Sequence, residues 1–406
     1  LQTLEGQDIL AFTFADWHAS WSTPQQIMAR LAPANRVLFV DQPRSFLFGL
    51  KGRDPQGAGH WEGPRLQEVQ PGLFVYHAPH AFLPVGRVPF PLGRQALRLN
   101  GRLMAGWVRA QMRHLGMRDP ILWNFSPLHG TAVDHLPRSL TLYDICDEWE
   151  NYLNDESGKK TIAWIEERMC REVDLIFVGT ENMRSRRTHL NPEIQVVHHG
   201  ADYEHFATAL DPATQVPEDI RDLPRPIVGA VGVMDAARFD TELILHLSAA
   251  FPQGSVLLVG PARSDLDLTR LQSCGNVYLT GNRPIADLPA YLKGMDVAII
   301  PYKMNEATAN IYPLKLQEYL AAGKPVVSPP MPAVLPYREV VGIADGPEAF
   351  VRCVQTALEE DGPARREARQ AVARQNSWEQ RVAEKSQQVR RLLDLTRKKK
   401  QGAKRE

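Results

Sequence analysis

The sequence predicts an α/β protein of two successive domains, each a parallel sheet with helices on both faces. Two observations lead there. Short apolar runs alternate with helical stretches along the whole 406 residues, and a hydrophobic content of 44% is enough to fill two cores. In the first half, strands are expected at 9–14, 37–40, 73–76, 121–124, 140–143, 175–178 and 195–197. In the second half they are expected at 227–233, 256–259, 277–279, 297–301, 325–327 and 341–344. Strands separated by crossover helices pair in parallel. The segment 207–226 holds four prolines and several acids without an apolar period, and it reads as a linker. The expected domains are therefore 1–210 and 211–376. A helix over 377–396 follows, with its apolar period on Trp378, Val382, Val389, Leu392 and Leu393 and its path back to the first domain, and then a basic, disordered tail at 397–406.

Lys plus Arg equals Asp plus Glu at 47 each, so no overall field points to nucleic acid. The charge is uneven, however. Residues 86–118 carry seven arginines (Arg87, Arg94, Arg98, Arg102, Arg109, Arg113 and Arg118) and no carboxylate. Leu97, Leu99, Leu103, Met104, Trp107, Val108 and Met112 supply apolar surface among them. One reading is an interfacial helix held on an anionic membrane; the other is a core helix whose arginines face water. The four cysteines lack metal-ligand spacing, and no apolar run approaches the length of a membrane span. The expectation is a cytoplasmic protein, held at the inner face of the plasma membrane on the first of these readings, with no metal.

The segment 296–328 reads as strand, loop, helix and strand. Pro313 suits the first turn of the helix and Gly323 the position just past its end. Lys315 then lies in the first turn, where the helix dipole disfavours a cation unless an anion sits beside it. Glu318, three residues on, could accept the hydroxyls of a ribose; an ordinary surface ion pair with Lys315 is the other reading. Arg238 follows a strand with Gly229 and Gly232, where backbone can approach a ligand closely, and precedes a helix expected to begin near Asp240. A pairing of Arg238 with Asp235 or Asp240 is its alternative. No GxGxxG follows the first strand and no GxxxxGK[ST] occurs, which demotes dehydrogenases and common ATPases.

In open α/β sheets ligands bind beyond the carboxyl ends of the strands. Asp144 and Asp147 leave such an end in LYDICDEW, open to sugar or acceptor chemistry, although Asp147 could instead cap the next helix. His18, Trp17 and Trp21 follow the first strand, ahead of a helix with Thr23 as N-cap and Pro24 at its first position; the aromatic rings suit sugar faces or core packing.

The phrase NEATANIYPLKLQEYLAAGKPVVS, together with LYDICDEW, HHGADYEHF, GAVGVMDAARFD, LLVGP and NVYLTGNRPIADLPAYLKGMDVAIIPY, resembles the GT-B glycosyltransferases, in particular the bacterial family-four-like, group 1 enzymes. The resemblance implies two Rossmann-like domains facing a cleft, with the donor in the second. It places Glu318 on the donor ribose, Lys315 and Arg238 against the diphosphate, and Gly281, Asn282 and Arg283 near the base. It puts Asn310 where many members carry a sugar-contacting glutamate, and Asp144 where many carry a cleft histidine. His199 and Asp202 fall at a hinge turn. The implied activity is transfer of a hexose from a UDP- or GDP-sugar to a glycan or lipid-linked acceptor in cell-surface polysaccharide assembly, without a cofactor. Retention of configuration is implied by resemblance alone. A nucleotide-sugar epimerase and a non-catalytic nucleotide-sugar-binding protein are the alternatives, the latter because Asn310 replaces the usual glutamate.

Overall fold

Residues 2–19, 21–42, 65–79, 81–85, 88–149, 155–309 and 311–402 are described by a computed structural model of the chain. Two units emerge: Leu1–Val197 with Val382–Glu406, and His198–Arg381.

The first unit is built on strands β1 (Asp8–Phe12), β2 (Arg36–Val40), β3 (Leu66–Gln70), β4 (Leu73–Tyr76), β5 (Ile121–Asn124), β6 (Leu140–Ile145), β7 (Leu175–Val178) and β8 (Ile194–Val196). Their order across the sheet is β3-β4-β2-β1-β5-β6-β7-β8. All pairings are parallel except that of β3 with β4. The central strands read as continuous apolar runs because helices cover both faces. β3 escaped the sequence reading because its residues, LQEVQ, are mostly polar and partly exposed at the sheet edge.

The second unit carries β9 (Ile227–Val231), β10 (Ser255–Val259), β11 (Val277–Gly281), β12 (Val297–Ile299), β13 (Val326–Ser328) and β14 (Gly342–Ile343), in the order β11-β10-β9-β12-β13-β14 and all parallel. The segment expected to be a linker is part of this unit. Ala209 and Ile220 are buried in its core beside Tyr203 and Phe206, with Val216 and Leu223 packed against them. A few isolated apolar residues suffice to dock the segment, too few to leave a period in the sequence.

The arginine-bearing stretch forms one helix, Phe90–His114, whose buried side carries Leu97, Asn100, Gly101, Met104, Val108 and Met112. It is a core helix, and its outer side exposes Leu92, Leu99 and Leu103 beside Arg98 and Arg102. Arg87 lies outside the described residues. Among the described residues no helix is long and apolar enough to cross a membrane.

The last helix runs from Trp378 to Gly402, well into the basic run expected to be disordered. Lysine and arginine are good helix formers, and cations near a helix C-terminus interact favourably with its dipole. From Val382 onward this helix belongs to the first unit. There the Lys385 ammonium donates to the Asp144 carboxylate at 2.6 Å and lies 4.4 Å from the Phe177 ring centroid.

His129, in the short 3-10 turn after β5, is buried, stacks on Phe12 at 4.8 Å and lies with Nε2 3.2 Å from the Thr13 carbonyl oxygen. Burial pushes its pKa down from 6.5 to about 4, although the Thr13 contact favours the charged ring. Between those values an unfolded chain binds a proton that the folded one does not, so stability should fall as pH falls through that window. We expect wild type to lose up to roughly 3 kcal/mol between pH 7 and pH 4 through this group. Urea unfolding across that range should show a shallower pH slope for His129→Phe.

Candidate functional site

Six parallel strands in the order β11-β10-β9-β12-β13-β14 reverse direction between β9 and β12. The crossovers on either side of that reversal leave opposite faces of the sheet, which opens a crevice beyond the carboxyl ends of those two strands. Gly232 follows β9, and the turn through Tyr302 follows β12. The loop 235–240 is zipped to that turn: Asp240 N–H donates to Pro301 O at 2.9 Å, Lys303 N–H to Arg238 O at 2.7 Å, and Asn305 Nδ2 to Ala237 O at 2.8 Å. The two loops bordering the crevice are thus held together.

Backbone lies bare along this edge. Gly232 and Gly260 have φ of +150° and +139°, and a Cβ on Gly260 would come within 2.0 Å of the Gly232 carbonyl oxygen. Gly260 N–H donates in turn to Gly281 O at 2.9 Å. Glycines at the ends of three adjacent strands, β9, β10 and β11, therefore form a ledge without side chains.

Beside the ledge stands the helix Leu314–Ala321, with Pro313 at its N-cap, one place earlier than the sequence implied. Gly323, at φ +69°, ends it as expected: Lys324 N–H reaches Tyr319 O and Gly323 N–H reaches Leu320 O, both at 3.0 Å. Lys315 in the first turn donates to Glu318 at 2.7 Å. A Cβ on Gly232 would lie 4.0 Å from Lys315 Cε, so the lysine stem borders the ledge. Arg238 pairs with Asp235, its alternative partner in the sequence reading, through Nε at 2.7 Å and Nη2. Burial raises the Asp235 pKa, but the Arg238 guanidinium outweighs it and holds the carboxyl below the usual range. Arg238 also lies 6.0 Å from the Tyr302 ring centroid. Burial pushes the Tyr302 phenol up, Arg238 opposes this, and Asp235 and Glu318 add to it, so all four groups share one neighbourhood.

Of the expected donor residues, Gly232, Arg238, Lys315 and Glu318 come together. Gly281 and Asn282 are exposed at the end of β11, while Arg283 pairs with Asp219 at 2.7 Å. Asn310 lies outside the described residues. Tyr302 and Gly260 were not singled out in the sequence, although Gly260 stands at a strand end in LLVGP.

In the first unit the expectation for Asp144 is corrected. Its carboxylate is 3% exposed rather than open at the strand end, and it accepts from Trp123 Nε1 at 3.1 Å and Lys385 at 2.6 Å. A buried charge needs such partners, and the C-terminal helix supplies the cation. Asp147 sits in an exposed bend, whereas Asp155 caps the next described helix, Glu156–Glu172, accepting from Gly158 N–H at 2.6 Å. Ser22 rather than Thr23 is the N-cap of the helix Thr23–Leu31. Trp17 is buried against Phe39, but Trp21 is 42% exposed. Exposed His18 stacks 6.0 Å from His77, whose Nδ1 pairs with Asp41. Asp41 follows β2, His77 follows β4, and Trp17 N–H donates to the other Asp41 oxygen at 3.0 Å. This Asp41–His77 pair was missed, because single residues at two distant strand ends form no motif. Burial raises the Asp41 pKa, with His77 opposing it.

Residues 225–360, most of the second unit, match the family described as Glycosyl transferases group 1. This stretch is similar to group 1 glycosyltransferases, and the fold of the chain is GT-B. Over 255 residues it is 26% identical to a Bacillus subtilis protein named provisionally as a teichuronic acid biosynthesis glycosyltransferase, TuaH. That match spans 58% of this chain and 63% of the relative. Among solved structures, it is similar to sucrose-phosphate synthase from Thermosynechococcus elongatus, with a TM-score of 0.66, 19% identity, and coverage of 96% of this chain and 100% of that one. It is also similar to Anabaena HepE in complex with UDP and glucose, with a TM-score of 0.59, 16% identity, and coverage of 96% and 99%.

The Asp144–Lys385 pair gives a direct test of the corrected role. Removing one partner of a buried ion pair costs about 3–5 kcal/mol, because the other charge is left alone. Lys385→Met should therefore lower stability by about that amount in chemical denaturation, and adding Asp144→Asn should recover part of the loss.

Proposed function

We propose that the protein is a glycosyltransferase that moves a hexose from a UDP- or GDP-sugar to a glycan or lipid-linked acceptor in cell-surface polysaccharide assembly. One observation carries the reading: Lys315, Glu318 and Arg238 gather beside a bare glycine ledge at the strand-order reversal of the second unit. A nucleoside diphosphate presents the complementary groups. Its phosphates can approach the ledge and take charge from Lys315 and Arg238, while its ribose hydroxyls donate to Glu318. The stretch Gly281–Arg283, next along the ledge and exposed at Gly281 and Asn282, is our assignment for the base. The group 1 match, the TuaH relative and the UDP-and-glucose complex of HepE support the same reading.

In this reaction the bond from sugar C1 to the diphosphate oxygen breaks, negative charge grows on the departing diphosphate, and a bond from C1 to an acceptor hydroxyl oxygen forms as its proton passes to that diphosphate. Cations already positioned there stabilise that charge without reorganising, and such groups supply much of the rate of a transfer reaction. Asp235 holds the Arg238 guanidinium in place. No cofactor beyond the donor is invoked. On the acceptor side we assign His18 and Trp21, the exposed members of the cluster around Asp41 and His77. Exposed Leu92, Leu99 and Leu103 among Arg98 and Arg102 support peripheral contact with an anionic membrane at the cytoplasmic face.

A thermal-shift screen of UDP-, GDP- and dTDP-sugars should give one stabilising series, since a ligand of the folded state alone raises stability. Lys315→Ala should then weaken the matching nucleoside diphosphate about tenfold or more and leave the nucleoside nearly unchanged, the result of losing one charged contact. Equal weakening of both would remove Lys315 from the diphosphate. Conversion of the free donor to an epimer would replace transfer by epimerisation.

A further inference from the structure

A cavity of about 240 Å³ lies in the first unit, outside the donor and acceptor groups assigned above. Its walls come from four parts of the chain: Phe82–Val85, the inner face of the helix Phe90–His114 (Leu97, Asn100, Gly101 and Met104), the turn after β5 with Leu128, His129 and Ala132, and Gly158 with Ile162. The lining is almost wholly apolar. Its two polar side chains are already engaged, since the Asn100 amide bonds both Leu83 N–H and Leu83 O, and His129 contacts the Thr13 carbonyl. The inside of this space therefore suits hydrocarbon.

Its position is equally specific. Thr13 directly follows β1, and His129 lies in the turn after β5. These are the strands between which the order β4-β2-β1-β5-β6 reverses, the place where open α/β sheets receive ligands.

A cation lies near the cavity, outside its lining residues. Leu97, Asn100, Gly101 and Met104 form a helical stripe, and Arg94 continues it one turn earlier. Next to Arg94, a Cβ on Gly93 would come within 3.4 Å of the carbonyl of Val85, a wall residue, and 2.6 Å of Thr161 Oγ1, beside wall residue Ile162. The Arg94 guanidinium lies 4.3 Å from the Trp164 ring centroid and 5.5 Å from that of Phe90. Its Nε is buried, and among the described residues it has no hydrogen-bond partner. A guanidinium held rigidly by aromatic rings, with an unused N–H, is an acceptor-seeking group.

We propose that this cavity binds the hydrocarbon chain of a phosphate-bearing amphiphile, the lipid part of the acceptor, with its phosphate at Arg94. The inference rests on the transferase reading, whose lipid-linked acceptor it specifies. An apolar protein cavity of 150 Å³ accepts benzene, so this one has room for a chain of several carbons. The phosphate would pair with the part-exposed guanidinium of Arg94 and place the head of the acceptor on the carboxyl side of the sheet.

The test uses the full chain with octyl phosphate and octanol, measured by calorimetry, beside vesicles of anionic phospholipid. Octyl phosphate should bind wild type more tightly than octanol. Arg94→Gln should weaken octyl phosphate about tenfold and leave octanol unchanged. Val85→Trp, which fills the cavity from a half-exposed rim position, should weaken both. All three proteins should keep the same thermal gain from the nucleotide found above, which reports an intact fold and a separate donor site. Equal affinity of octyl phosphate for wild type and Val85→Trp overturns the proposal. Binding to vesicles with none to octyl phosphate would overturn it as well, since the arginines would then serve a bilayer surface. In both cases an unchanged nucleotide response leaves the transferase reading standing.

Discussion

Parallel strands joined by right-handed crossovers add to one side of the first strand until the chain returns to its other side. At that return the neighbouring crossovers cover opposite faces, and the backbone between them cannot be covered by either. Both sheets obey this constraint, at β1/β5 and at β9/β12. The groups assigned chemistry gather at these two places. Gly232 and Tyr302 flank the second reversal, with Lys315 and Glu318 on the helix that follows. Thr13 and His129 flank the first, with the apolar cavity against them. Topology sets where a ligand can reach, and the side chains at each reversal set its chemistry: cations and bare backbone at one, hydrocarbon walls and a single guanidinium at the other.

The Asp144–Lys385 pair solves a different problem. Two charges that are 3% and 2% exposed gain less from each other than they lose in hydration unless further contacts satisfy them. Trp123 Nε1–H supplies a second bond to the carboxylate, and the Phe177 ring faces the ammonium. A pair of this kind adds little stability over an apolar substitute but strongly penalises misplacement, since a helix shifted by one residue would leave both charges buried alone. It thereby fixes the register of the C-terminal helix in the first unit, which apolar contacts at Val382 and Val389 would specify only loosely.

Strands were legible in the sequence because burial on both faces turns them into unbroken apolar runs; β3, at the edge, lacks that imprint. Pro313, Lys315, Glu318 and Gly323 were legible because helix ends impose their chemistry within a few residues. The role of Asp144 was not, since its cation stands 241 residues away and no local pattern announces it. Asp41 and His77 likewise meet only through the sheet, across strands whose sequence order says nothing of side-chain register. Arg238 lay between these extremes. Its partner Asp235 is three residues off and could be named in advance, but whether the pair excludes a ligand or orients the guanidinium toward one depends on Tyr302 and the loop zipped behind it.

The cavity in the first unit carries the same logic into energetics. An apolar space of this kind leaves its walls facing water instead of other side chains, which costs stability. A larger side chain at any of several lining positions, such as Ala132 or Val85, would reduce that loss. The residues present do the opposite: Gly101 and Gly158 have their Cβ positions taken by Thr131 and by the Asp155 carboxylate, so no larger side chain can stand there, while the Asn100 amide ties Leu83 at both its N–H and its carbonyl and so holds one wall in place. Small residues at the wall and a clamped rim keep the space open instead of letting it collapse. Arg94, fixed over Trp164 with a buried N–H unused, adds a polar cost at the same place. Both costs are relieved by one kind of molecule, a chain with an anionic end, and by neither water nor hydrocarbon alone.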